Sequence, residues 1–148
     1  MAIEHIVCCT DFSENALTAF DMALEMAEKY RARLTVLHVV PVPTNPLMVE
    51  SEWVFPDRPN EAITLKIQKR MEEDYAGRIP AHITHSLVIR DGHVSSEILQ
   101  YLQENQVDLV VVGSYGLTGM ELVVFGSVAK RIAHKAPCSV LVARHSRQ

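Results

Sequence analysis

Hydrophobic positions fall into two rhythms that alternate from one end of the chain to the other. Near-continuous apolar runs, of the kind a parallel sheet buries on both faces, occur at Ile3 to Cys9, Leu34 to Val40, Asp108 to Val112 and Cys138 to Ala143. A further run, Ala81 to Ile89, alternates weakly and ends at Arg90-Asp91-Gly92, which reads as a turn. Between these runs apolar residues recur three and four apart. Ser13 stands as N-cap to a helix reaching Tyr30, with Leu17, Phe20, Leu24 and Ala27 on its inward stripe. Glu61 to Arg78 carries Ile63, Ile67, Met71 and Tyr75 on one stripe and is bounded by Gly77 and Pro80. His93 to Asn105 turns Val94, Ile98 and Leu102 inward, and Ser127, placed as an N-cap, opens a last helix to Lys135 with Val128, Ala129, Ile132 and Ala133 at helical spacing.

Strands that alternate with helices, joined by right-handed crossovers, predict an α/β fold: one doubly wound, five-stranded parallel sheet with helices on both faces. The chain of 148 residues is read as a single domain, 1–148, with strand order 3-2-1-4-5. That order reverses direction between the first and fourth strands, and ligands bind outside the carboxyl ends of strands at such a point. Two loops meet there, one after Cys9 and one after Val112.

The second of these loops holds four of the six glycines, Gly113, Gly116, Gly119 and Gly126, and leads into Ser127 at a helix start. Glycines let bare backbone N–H groups approach an anion, and a helix N-terminus adds its own unsatisfied donors, so the loop reads as a phosphate cradle. The plainer alternative is a set of turns and a cap. No Lys or Arg lies between Gly113 and Ser127. Phosphate would therefore be met by amides, the helix dipole and a divalent Mg or Mn ion rather than by cationic side chains. Rapid phosphoryl transfer relies on such cations, so the site is expected to hold a ligand rather than to turn it over. Lys130, one turn into the helix, either reaches a terminal phosphate or faces solvent.

The first loop, Thr10-Asp11-Phe12-Ser13, contains no glycine, which sets aside both the Gly-x-Gly-x-x-Gly dinucleotide fingerprint and the P-loop. Asp11 is placed to meet a ribose hydroxyl, an adenine amine or a metal, or else to close a local Asx turn. Val39 and Val40, ending the second strand, offer a wall for a flat base as well as ordinary core.

Composition narrows the field further. A net charge of −4 gives no electrostatic footprint for nucleic acid or an anionic membrane, and Lys66, Lys69 and Arg70 are followed at once by Glu72, Glu73 and Asp74. No apolar run approaches the roughly 20 residues that span a bilayer, and the start lacks a secretory pattern, so the expectation is a soluble, cytoplasmic protein. Cys8, Cys9 and Cys138 make no C-x-x-C pair and are read as buried reduced thiols. Neither Gly-x-Ser-x-Gly nor His-Glu-x-x-His occurs, and His82 and His85, three apart on a strand, would face opposite ways. Residues 41–60 hold five of the seven prolines and the single tryptophan, Trp53; Trp53 or Phe55 would anchor that loop if it is ordered.

Taken together, Cys9-Thr10-Asp11-Phe12-Ser13, His38-Val39, Gly92, Gly113-Ser114-Tyr115-Gly116, Gly126-Ser127-Val128 and Ala136-Pro137-Cys138-Ser139-Val140-Leu141-Val142 resemble the universal stress protein family over nearly the whole chain. By that resemblance Cys9, Asp11 and Val39 would surround the base and ribose of ATP or another adenine nucleotide. Gly113, Ser114, Gly116, Gly126, Ser127 and Val128 would meet ribose and phosphates. Cys9 replaces a proline frequent in the family, and Tyr115 and Leu122 stand where basic residues are frequent. The resemblance implies a nucleotide-holding stress-response regulator with at most slow hydrolysis. It also implies a homodimer through the last strand, Ser139 to Ala143, whose apolar edge would otherwise lie open. A dimeric interaction module with a vestigial site and a slow nucleotide hydrolase are the competing readings.

Overall fold

The computed structural model describes residues 2–42, 61–114 and 126–145. Five strands, β1 (His5–Cys9), β2 (Arg33–Pro41), β3 (His85–Gly92), β4 (Leu109–Gly113) and β5 (Ser139–Ala143), form one sheet in the order β3-β2-β1-β4-β5. All four pairings are parallel, as the sequence pattern predicts. Among the described residues the helices are α1 (Glu14–Tyr30), α2 (Glu61–Asp74), α3 (Val94–Glu104) and α4 (Ser127–Lys135), with a 3-10 turn at Ala76–Arg78.

The side-chain period of two sorts the strands onto two cores. Ile6, Cys8, Leu34, Val36 and Val111 meet Ala19, Phe20, Ala23 and Ala27 of α1, Met71 of α2 and Tyr75 just beyond it. Val7, Leu37, Val39, Val110 and Val112 meet Ile98 and Leu102 of α3 and Ala129 and Ile132 of α4 on the opposite face. Each large apolar side chain removed from water in this way contributes roughly 1.5–3 kcal/mol before entropy is charged against it. Helices α1 and α2 thus cover one face and α3 and α4 the other. The chain leaves β1 toward one layer and β4 toward the other, which opens a crevice between their carboxyl ends.

Several boundaries differ from the sequence expectation, each for a tertiary reason. The third strand is His85–Gly92 rather than Ala81 to Ile89, because β2 runs on to Pro41 and its register carries pairing as far as Gly92. The Ile83 N–H donates to the Pro80 carbonyl at 3.0 Å, so His82 lies in a turn and not on a strand. Gly92, with φ +133°, makes the bend into α3, and an added Cβ would press on the Glu97 side chain at 3.0 Å. Helix α2 ends at Asp74, four residues before Arg78. Leu17 and Ile63, read as inward, are 38% and 45% exposed. Alanines 16, 19, 23 and 27 form the true inward face of α1 around Phe20, small enough to bring the helix close to the sheet.

Candidate functional site

The crevice at the switch point begins with the exits of β1 and β4. Ser13 caps α1 by accepting the Ala16 N–H at 3.2 Å, and the Asp11 carboxylate accepts the Ser13 N–H at 3.0 Å. Asp11 therefore makes the Asx turn, and it also lines the crevice. On the other side the Ser114 N–H donates to the Ala143 carbonyl at 3.0 Å, and the Ser114 carbonyl accepts the Gly126 N–H at 2.6 Å. Both ends of the glycine loop are thus stitched together where β4 finishes.

Gly126, not Ser127, is the N-cap of α4. Its φ of −63° and ψ of 154° are extended, and its carbonyl accepts the Lys130 N–H at 3.0 Å. Glycine and serine are both acceptable caps, so sequence alone could not separate them. The consequence is chemical: no side chain caps α4, whereas Ser13 caps α1 and His93 caps α3. Among the described residues no side chain meets the first-turn amides of α4, which are donors that a helix leaves without an intrahelical acceptor.

Between the exits lies a cavity of about 160 Å³. Leu37, Val39, Val94, Ile98, Val112 and Ala129 give it apolar walls; Thr10, Asp11, Gly113, Gly126 and Ser127 give it a polar rim. A second, more open space of about 380 Å³ adjoins it across Val94, Ser127 and Val128 and is bordered by Gly92, His93, Ser95 and Arg131. Joined, they reach the roughly 300–1,000 Å³ usual for small-molecule sites. A third, larger groove of about 750 Å³ lies at the amino-terminal ends of the strands, away from these loops, and is bordered by Arg31, Arg33 and the hydrogen-bonded Glu28 and His82.

Charge at the crevice is sparse. Burial, with Cys138 nearby, pushes the Cys9 thiol up to about 12, so Cys9 serves as neutral wall rather than nucleophile. All three cysteines are free, with Cys8 buried and Cys9 and Cys138 half-buried. Arg131 donates to Ser95 Oγ at 2.8 Å and Ser96 Oγ at 3.2 Å. Thus Arg131, rather than Lys130, borders the outer space. Among the described residues no group of three or more His, Cys, Asp or Glu could hold a metal, and Asp11 is the one carboxylate on the inner lining. The Ser114 hydroxyl is fully buried without a hydrogen-bond partner among the described residues.

The chain matches the model of the universal stress protein family over residues 2–144. It belongs to the universal stress protein family. A universal stress protein of Methanocaldococcus jannaschii is 32% identical over 145 residues, covering 94% of this chain and 81% of that one. The structure of UspA from Lactobacillus plantarum superimposes with a TM-score of 0.74 at 28% identity, covering 97% of this chain and 99% of the other. At 19% identity the fold alone is shared with a universal stress protein from Archaeoglobus fulgidus in complex with dAMP, at a TM-score of 0.67 and coverage of 97% and 99%.

Of the residues expected at a site from the family resemblance, Cys9, Asp11, Val39, Gly113, Gly126, Ser127 and Val128 line one cavity. Ser114 is fully buried and off the lining, and its contribution is the backbone stitch to Gly126. Gly116, with Tyr115, Thr118, Gly119 and Leu122, lies outside the described residues, as do Trp53 and Phe55. Sequence reasoning missed Leu37, Val94 and Ile98, which line the cavity but carry only the pattern of core, and His93, whose capping ring resembles no usual N-cap.

Proposed function

We propose that this universal stress protein holds an adenine nucleotide, ATP with Mg or Mn, in the crevice between β1 and β4, and acts through the bound state rather than by turnover. The observation that carries this reading is the uncapped start of α4, held beside the β4 exit by the 2.6 Å bond from the Gly126 N–H to the Ser114 carbonyl. First-turn amides at the positive end of a helix dipole suit a phosphate, and the apolar cavity beside them suits a flat base. The dAMP held by the Archaeoglobus fulgidus protein supports adenine as the base. Asp11 would accept a ribose hydroxyl, and a divalent ion would be carried chiefly by the phosphates, since the inner lining brings one carboxylate.

Titration with Mg-ATP tests the reading by thermal unfolding. At 100 times the dissociation constant the ligand should add ~2.7 kcal/mol of stability. No shift with ATP, ADP or AMP would leave the interaction-module reading in possession of the fold, and multiple turnovers of ATP per protein would favour the hydrolase.

The same proposal places a second copy of this chain along β5. Strand β5 pairs with β4 on one side, and Val140, Leu141 and Val142 are only partly covered. A free apolar edge is a liability that self-pairing removes. Sedimentation equilibrium should return twice the mass of the chain; a monomer at micromolar concentration refutes this part alone.

A further inference from the structure

The β1 exit contains a bulky residue in a conformation that usually belongs to glycine. Phe12 has φ +65°, a left-handed backbone that is an outlier for an aromatic side chain. It directly follows Asp11, so whatever holds Phe12 in place also aims the Asp11 carboxylate. The Thr10 N–H donates to the Leu37 carbonyl at 2.9 Å, and the Phe12 N–H donates back to Thr10 Oγ1 at 2.9 Å. His38 Nδ1 donates to the Thr10 carbonyl at 2.7 Å. Behind the turn, the Tyr75 hydroxyl is hydrogen-bonded to Thr10 Oγ1. The Phe12 ring is wedged 4.7 Å from the His38 ring and 6.1 Å from the Tyr75 ring, with the Arg70 guanidinium 4.3 Å from its centre.

Thr10 lines the cavity; Tyr75, on the opposite face of the sheet against Phe20, does not. Burial raises the Tyr75 phenol above its ordinary pKa, opposed by the Thr10 bond, so the hydroxyl stays neutral. The ring alone would fill the core equally well as phenylalanine. The hydroxyl is what reaches Thr10.

We propose that Tyr75 is a positioning residue for the nucleotide site: its hydroxyl, through Thr10 Oγ1, holds the strained Asp11-Phe12 turn so that the Asp11 carboxylate meets the ribose. The inference rests on the nucleotide reading for its ligand and on this hydrogen-bond chain for its residue. It ties the end of α2, which supplies no wall of the inner cavity, to ligand recognition.

Tyr75→Phe keeps the ring and removes the bond. Its expected effect is a loss of about tenfold in affinity for ATP, the scale of one hydrogen bond's worth of positioning. That loss should disappear for 2′,3′-dideoxy-ATP, whose sugar offers Asp11 no hydroxyl. Thr10→Val, which removes the partner of the Tyr75 hydroxyl and also the acceptor of the Phe12 N–H, should lose at least as much affinity as Tyr75→Phe. An equal loss for both nucleotides, or none for ATP, overturns the inference, because a merely structural tyrosine cannot discriminate between sugars. A second readout needs no ligand: amide hydrogen exchange at Phe12 and Ser13 should accelerate in Tyr75→Phe relative to the amides of β1. Unchanged exchange overturns the inference even if wild type binds nothing; accelerated exchange with no nucleotide binding in wild type sinks the nucleotide reading instead.

Discussion

Gly113→Val should lower the stability of the free protein by about 2–3 kcal/mol, the upper part of the range seen when well-packed sites are overfilled, and distort the cavity between β1 and β4 at the same time. A Cβ at position 113 would lie 2.9 Å from the backbone C and O of Asn15 and 3.1 Å from its Cβ. Those atoms belong to the first turn of α1 and are not the end of a flexible side chain, so strand or helix must move bodily. Gly113 and Ala16 line the same cavity, hence the displacement cannot spare the site. Gly77→Ala is the matched control: its Cβ would meet only the Glu72 carbonyl oxygen at 3.9 Å, and the substitution should stay within about 0.5 kcal/mol of wild type. Urea unfolding of the two variants side by side decides the matter. A Gly113→Val midpoint equal to that of the control would mean that β4 and α1 do not approach as closely as described.

Ser127→Asp is expected to push stability and binding in opposite directions. Ser127 is exposed and is the first residue of α4, where a carboxylate interacts favourably with the helix dipole by about 0.3–1 kcal/mol. The free protein should therefore melt slightly higher. The same carboxylate stands among the amides proposed to receive phosphate. Like charges about 4 Å apart repel by roughly 1 kcal/mol in bulk water and about 4 kcal/mol at an effective dielectric constant of 20. Against a polyanion the loss in affinity should reach roughly 100-fold or more, which erases the Mg-ATP shift. Ser127→Ala, which leaves the backbone donors untouched, should keep most of it. A Ser127→Asp variant that still gains stability from Mg-ATP would place the phosphates elsewhere.

These two substitutions also mark how far the residue pattern reaches. Strand β4 reads from Leu109 to Val112 as buried on both faces and does run from Leu109 to Gly113 between β1 and β5. Its glycine exit reads as a ligand loop, and seven of the nine residues singled out for the site do line one cavity. An eighth, Ser114, is buried off the lining and stitches the loop by its backbone, while Gly116 is outside the described residues. The close approach of Gly113 to Asn15, by contrast, leaves no trace in either local stretch. Nor does the cap: glycine followed by serine satisfies the rules for a helix start in two ways. The hydrogen bond from Gly126 to Ser114 and the acceptance of Lys130 by Gly126 chose between them. Likewise Arg90-Asp91-Gly92 carries turn chemistry, yet stays in β3 because β2 extends far enough to pair with it.

Periodicity, turn residues and the placement of glycines were enough for the alternation of strand and helix and for the order of the sheet. Those properties follow from burial and backbone freedom, which each residue expresses locally. The folded chain decided which side chains meet across elements. Thr10 and Tyr75 are 65 positions apart, and Asp108, 103 positions from His5, accepts the His5 N–H at 3.0 Å. Such bonds depend on direction and tenths of an ångström, quantities that packing of the helices against the sheet determines and no one segment encodes.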